Sequence, residues 1–204
     1  MSEELLRIAD GRNPKDAILT SHGKLFWVTD PRPGDVHLND IARSLGAINR
    51  FIGHGRWNIS VATHSSLLFR LIPDHLKEQG LFHDATEAYM TDIPKPLKER
   101  VGLFEGFSEA EDRLFEVICE SLRLPFRKLS EEFTDYDRRM GRAELLVLFP
   151  HGEDYLNLLG VPSKKIEEAK KWMEYIVPES TYGSGSKWKY QAGSVIKKYE
   201  NSTN

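Results

Sequence analysis

Apolar residues recur every three or four positions through most of this chain, the spacing of helices that bury one face. In "NDIARSLGAINRFIG", Ile41, Leu45, Ile48 and Phe51 form one stripe, with Asn39 or Asp40 as the N-cap. "NISVATHSSLLFRLI" aligns Val61, Leu68 and Leu71, and Pro73 closes it. A third helix is predicted from near Asp74 through "LFHDATEAYM", until Pro94 and Pro96 stop it. "SEAEDRLFEVICESL" opens with a capping box of Ser108 and Glu111. A long helix is expected over roughly 128–149, with Phe133, Met140 and Val147 near one face. "SKKIEEAKKWMEYI", capped by Ser163, sets Ile166 and Met173 on one side. Only "KLFWVTDPRPGD" suggests a strand, a short one before a proline turn. The predicted class is all-α.

A length of 204 residues is expected to form one domain over residues 1–178, large enough for a substantial core. Beyond Pro178, "STYGSGSKWKYQAG" has the composition of a flexible C-terminal extension, residues 179–204, whose "SVIKKYE" either docks back or stays mobile. No internal repeat is visible.

Charge narrows the function. A net charge of −3 argues against a broad nucleic-acid-binding surface, although it leaves room for a local basic pocket around a small phosphate. The single cysteine, Cys119, forbids an intrachain disulfide and reads as a small buried thiol. The N-terminus lacks the apolar core of a signal peptide, and no apolar run is long enough to cross a bilayer. A cytoplasmic, reducing setting is therefore expected, with no membrane partner.

Several polar residues fall on apolar faces. His64 shares its face with Val61, Leu68 and Leu71, and Asp137 shares its own with Phe133, Met140 and Glu144. His83 and Glu87 are four apart on one face, and Asp84 points about 100° further round. Burying such groups without partners would cost several kcal/mol. Two histidines and two aspartates from three helices supply the N and O donors that a divalent metal accepts. Glu87, one turn beyond, suits a general acid or base better than a ligand.

The ordered segments "ATHS", "FHDATE" and "TDYDRR" resemble the signature of the HD-domain metal-dependent phosphohydrolases. "INRFIGHGRWNISVATHS" and "HDATEAYMTDIPKPLK" look like the branch holding the bacteriophage dATP triphosphohydrolases and bacterial 5′-deoxynucleotidases. This resemblance spans about residues 38–150 and implies an HD-domain helical bundle. It implies metal ligation by His64, His83, Asp84 and Asp137, with Asp135 competing for the last position, and makes Glu87 the catalytic carboxylate. It assigns substrate contacts to Arg50, Phe51, Asp92, Pro96 and Lys98, with Lys95 adding phosphate charge. The implied cofactor is a divalent ion: Zn, Co, Mn or Mg, with Fe also suited to the donors. The expected substrate is a 2′-deoxynucleotide cleaved at the α-phosphorus, dATP first, with a deoxynucleoside monophosphate as the alternative. A non-catalytic nucleotide-binding module is a further alternative. The expected assembly is a homo-oligomer, a dimer or hexamer, in a host cytoplasm if a phage encodes it.

Overall fold

A computed structural model describes residues 11–100, 106–178 and 181–200. Helices dominate, as the apolar periodicity requires, so the class is all-α. The sheet among the described residues is one antiparallel hairpin, β1 (Ile18–Leu19) with β2 (Leu25–Phe26), which pairs Ile18 with Phe26 and Leu19 with Leu25. The helices are α1 (Leu38–Ala47), α2 (Val61–Leu71), α3 (Lys77–Phe82), α4 (Glu87–Met90) and α5 (Lys95–Arg100). They are followed by α6 (Phe107–Ser121), α7 (Glu131–Leu148), α8 (Gly152–Leu158), α9 (Ser163–Lys170) and α10 (Thr181–Glu200).

Two apolar clusters meet across α2. Val61 and Ala62 join Ile41, Leu45, Leu81 and Phe82 in one. Leu67 and Leu68 join Phe133, Met140, Leu148 and Trp172 in the other. The alternation of these contacts leaves His64 between them, fully buried. Gly80 lets α3 lie close on α2: a β-carbon there would come within 2.6 Å of Ile72 Cδ1 and 3.3 Å of Leu68 Cβ. That close approach brings His83 toward His64.

Several local expectations need correction. The third helix is not continuous, because residues 83–86 form a turn between α3 and α4. The Ala85 N–H donates to the Phe82 carbonyl and the Glu87 N–H to that of Asp84, each at 3.0 Å, three residues apart as in a 3₁₀ turn. The α1 N-cap is His37, whose Nδ1 accepts from the Asn39 N–H at 3.3 Å. Neither Asn39 nor Asp40 caps; the Asp40 carboxylate bonds to Ser21 and His22. Helix α6 follows a left-handed Gly106, and no side chain caps it, so Ser108 lies inside the first turn. Pro162, not Ser163, occupies the N-cap of α9.

The largest departure is α10. Residues 181–200 form a helix rather than a flexible extension, and Trp188, Ala192 and Val195 enter the first apolar cluster. The Trp188 indole N–H donates to the Leu81 carbonyl at 2.8 Å, and its ring meets Phe82 edge-on. Gly185 permits this contact, since a β-carbon would lie 2.4 Å from the Ala42 carbonyl oxygen. The described part of the C-terminal segment thus belongs to the core. None of the described helices is long and apolar enough to cross a membrane.

Candidate metal centre

Each imidazole at the centre is oriented by a hydrogen bond at its far nitrogen. Helix α2 starts at Ser60, whose hydroxyl accepts from the Thr63 N–H, and carries His64 inward one turn later. His64 Nδ1 lies 2.7 Å from Glu144 Oε1 on α7, and its Nε2 lies 3.1 Å from Asp137 Oδ1. His83 Nδ1 lies 3.0 Å from the Gly80 carbonyl oxygen, which can only accept, so this nitrogen carries the proton. The lone pair of His83 is left on Nε2, the arrangement that carbonyl and carboxylate partners give metal-binding histidines.

His83 Nε2 is 3.0 Å from Asp84 Oδ2 and 3.7 Å from Asp137 Oδ1, and Asp84 Oδ2 is 4.0 Å from His64 Nε2. Donors about 2.0–2.2 Å from a common ion are separated by roughly 3–4 Å, so these spacings fit a shared cation. His83 Nε2, Asp84 Oδ2 and Glu87 Oε2 are buried without a hydrogen-bond partner. Polar atoms in that state are costly unless something else satisfies them. The buried His64 and His83 and the half-buried Asp137 can together hold a metal ion.

Electrostatics tie the group together. Burial and Arg50 both disfavour a charged His64, yet Glu144 and Asp137 outweigh them and raise its pKa to about 9. Burial opposes charge on Asp84 too, but His83, His64 and Arg50 hold its carboxyl well below the usual range. Asp137 is likewise lowered: burial is overcome by its hydrogen bond to His64 and by His83. Glu87 goes the other way. Burial, with the charges of Asp84 and Asp92, pushes its carboxyl up to about 10. Burial also raises Asp92.

Arg50 is drawn into the same network. Its Nε donates to Glu144 Oε2 at 2.9 Å, and its Nη1 lies 3.5 Å from Asp84 Oδ2. Burial disfavours the guanidinium charge, but Glu144 and Asp84 raise its pKa further. The chain enters here by pairing Asn49 with Ser60, and the Arg50 N–H donates to the Ile59 carbonyl at 2.9 Å. It then makes a left-handed turn through Phe51 (φ 54°), Ile52 (φ 54°) and Gly53 (φ 75°).

The remaining expected residues are less uniform. Asp137 lies at the centre, whereas its competitor Asp135 is surface-exposed and 3.6 Å from Lys165 Nζ. Lys98 borders the cavity outside Glu87, where its ammonium donates to both Glu111 oxygens at 2.9 and 3.2 Å. Phe51 instead lines a separate apolar cavity with Pro94, Phe149 and His54, its ring edge-on to Phe149. Asp92 is half-buried and Pro96 is exposed. The side chain of Lys95 lies outside the described residues. The sequence places Glu144 only on the face it shares with Asp137. A charged residue seven positions after Asp137 on an apolar face was the available signal for its role on His64.

An all-α chain with a largely buried histidine and aspartate group that could hold a metal ion is the class that fold and site define together. No family model matches the chain. It is 42% identical over 108 residues to the uncharacterized protein YfdR of Escherichia coli, covering 53% of this chain and 59% of that one. It is 32% identical over 112 residues to an uncharacterized protein of Rhodobacter capsulatus, covering 50% of this chain and 56% of that one. The chain thus spans a little over half the length of each of these curated relatives.

Proposed function

We propose that this protein is a metal-dependent phosphohydrolase of the HD-domain type, acting on 2′-deoxynucleotides at the α-phosphorus, with dATP as its first substrate. One observation carries the reading: His64, His83, Asp84 and Asp137 converge on one space with Glu87 Oε2 buried and unpartnered beside them. A structural metal site would need the donors but has no use for a buried, unpartnered carboxyl next to them.

A divalent ion held by His64, His83, Asp84 and Asp137 would supply Lewis acidity toward the phosphoryl group and lower the pKa of water. Water attacks the α-phosphorus, the bond to the 5′-oxygen breaks, and deoxyadenosine and triphosphate leave. Glu87 is the proton carrier: its Oε2 delivers the proton that the departing 5′-oxygen needs and regains one from the attacking water. Arg50 balances the negative charge gathered at Asp84 and Glu144. Glu144 keeps His64 in register through Nδ1. The cavity outside Glu87, about 480 Å³, is bordered by Arg127 and Lys128 as well as Lys98, which supports a substrate carrying several phosphates.

A second reading has its own support. Glu111 holds Lys98 bidentately, and Asp112 and Glu116 line the same cavity, so its net charge suits a monophosphate better. The 5′-deoxynucleotidase reaction follows from the same machinery. Assembly as a homo-oligomer accompanies either reading. Incubation with dATP, dAMP, ATP and AMP in turn, with Zn, Co, Mn or Mg present, decides between them. Tripolyphosphate and deoxyadenosine from dATP support the first reading, and orthophosphate from dAMP alone moves the protein to the second. Hydrolysis of none of these nucleotides under any metal overturns both.

A further inference from the structure

A second group of side chains that could hold a metal ion lies apart from the centre on α2, the turn after α3 and α7. His22, in the turn between β1 and β2, meets His37 and Asp40 at the start of α1. One ligand atom from each lies within 4.8 Å of the others. The two imidazole rings are 3.9 Å apart, tilted by 36°. Asp40 is only 5% exposed. Its Oδ1 receives the Ser21 hydroxyl at 2.5 Å and the His22 N–H at 3.1 Å, with His22 Nδ1 at 2.8 Å.

Hydrogen bonds account for one face of this cluster. They tie the hairpin to α1 and explain the position of Oδ1. They leave Asp40 Oδ2 buried with no partner. An unsatisfied oxygen on a carboxylate whose other oxygen meets His22 offers a borderline cation a further donor. His37 Nδ1 accepts the Asn39 N–H and His22 Nε2 lies by the Asn39 Nδ2, both at the long distance of 3.3 Å, so an ion would take these two lone pairs in place of weak contacts to Asn39. We infer that His22, His37 and Asp40 form a second divalent-metal site, selective for ions such as zinc or cobalt over magnesium.

Two nitrogens and one carboxylate leave at least one coordination position of such an ion for water or another ligand. His22 borders a cavity of about 790 Å³ whose wall also carries Arg43 and Lys189, so an exogenous ligand has room to approach. Neither the proposed hydrolysis nor its residues enter this inference, and the two centres share no side chain.

Counting tightly bound zinc in the full chain after equilibrium dialysis tests it. The variants are His83→Ala/Asp84→Ala, His22→Gln/His37→Asn, and all four together. Asparagine is a good N-cap, so His37→Asn deletes the imidazole while preserving the start of α1. Two zinc ions are expected in the unaltered chain, one in each double variant and none in the quadruple. Cobalt loaded into His83→Ala/Asp84→Ala should give a d–d absorption that is lost in the quadruple variant. If His83→Ala/Asp84→Ala binds no zinc, or His22→Gln/His37→Asn binds as much as the unaltered chain, the second site is overturned. One ion in the unaltered chain that survives His83→Ala/Asp84→Ala would support this site while counting against the first centre.

Discussion

His64 Nδ1 and Glu144 Oε1 stand 2.7 Å apart, with both side chains fully buried. They are eighty residues apart in sequence, and Arg50 reaches the other oxygen of the same carboxylate. Glu144 therefore performs two tasks, aiming the His64 Nε2 and neutralising a buried guanidinium.

Glu144→Gln should separate these tasks from simple packing. The amide oxygen can still accept from His64, but Arg50 loses its closest counter-charge. Breaking a buried pair from one side costs on the order of 3–5 kcal/mol. Glu144→Ala also removes the acceptor from His64, and loss of such an outer partner of a ligating histidine weakens metal binding by about 10–100-fold. Urea unfolding and zinc titration of the purified variants measure the two effects. Unchanged zinc affinity in Glu144→Ala would mean that Glu144 does not orient the ligand.

Glu87→Gln tests the proton carrier. The variant should bind metal like the unaltered protein, because Glu87 is placed beside the donors rather than among them. Turnover on the best deoxynucleotide should fall about 10²–10⁴-fold, the usual contribution of a positioned acid or base. His83→Ala and Asp84→Ala should lose metal and turnover together. A fully active Glu87→Gln enzyme would remove the mechanism.

The C-terminal helix gives a prediction about stability. Trp188 is fully buried and bridges α10 to α3 through the Leu81 carbonyl, two residues before His83. Trp188→Ala should destabilise the fold by about 3–5 kcal/mol through lost burial and an unfilled cavity. At this chain length each kcal/mol lowers Tm by roughly 2–4 °C. A calorimetric scan showing no change would contradict the packing of α10.

How much of this could be read from residues alone differed by element. Helices α1, α2, α6, α7 and α9 announce themselves because apolar residues recur along each at helical spacing. The apolar faces of α2 and α7 also bring His64 and Asp137 to the same interior. Helix α10 was hidden by its own solution to close packing: Gly185, which reads as flexibility, is what the Ala42 carbonyl requires. Its stripe of Trp188, Ala192 and Val195 was present but outweighed by composition. The turn at 83–86 was hidden because its residues keep helical spacing while their hydrogen bonds shorten. Nor does sequence reveal the His22, His37 and Asp40 group, since a hairpin and a helix start become neighbours only once the chain has folded.

Cys119 supplies a pH prediction away from any metal. Burial pushes its thiol up to about 12 from an ordinary value near 9. An acid whose pKa is raised on folding binds its proton more tightly in the native state. Stability is thus retained below about pH 9 and falls as pH rises from there toward 12. Denaturant midpoints across that range should decline, and the decline should be smaller in Cys119→Ala once its own baseline is subtracted. At neutral pH the native thiol should resist an aromatic disulfide reagent that labels the unfolded chain promptly.

The turn after Arg50 offers the last test. Ile52 holds φ 54° and ψ 26°, a left-handed conformation that crowds a β-branched side chain. It is 65% exposed, so little apolar burial compensates for the strain. Asparagine accepts this conformation more readily than isoleucine, and Ile52→Asn should stabilise the protein by about 1 kcal/mol. The corresponding rise in Tm is roughly 2–4 °C. Metal binding should be unaffected, since Arg50 reaches Glu144 and Asp84 from the preceding, unstrained side of the turn. A lower Tm would show instead that the exposed isoleucine contributes more through the apolar cavity it shares with Phe51 and Phe149 than its backbone costs.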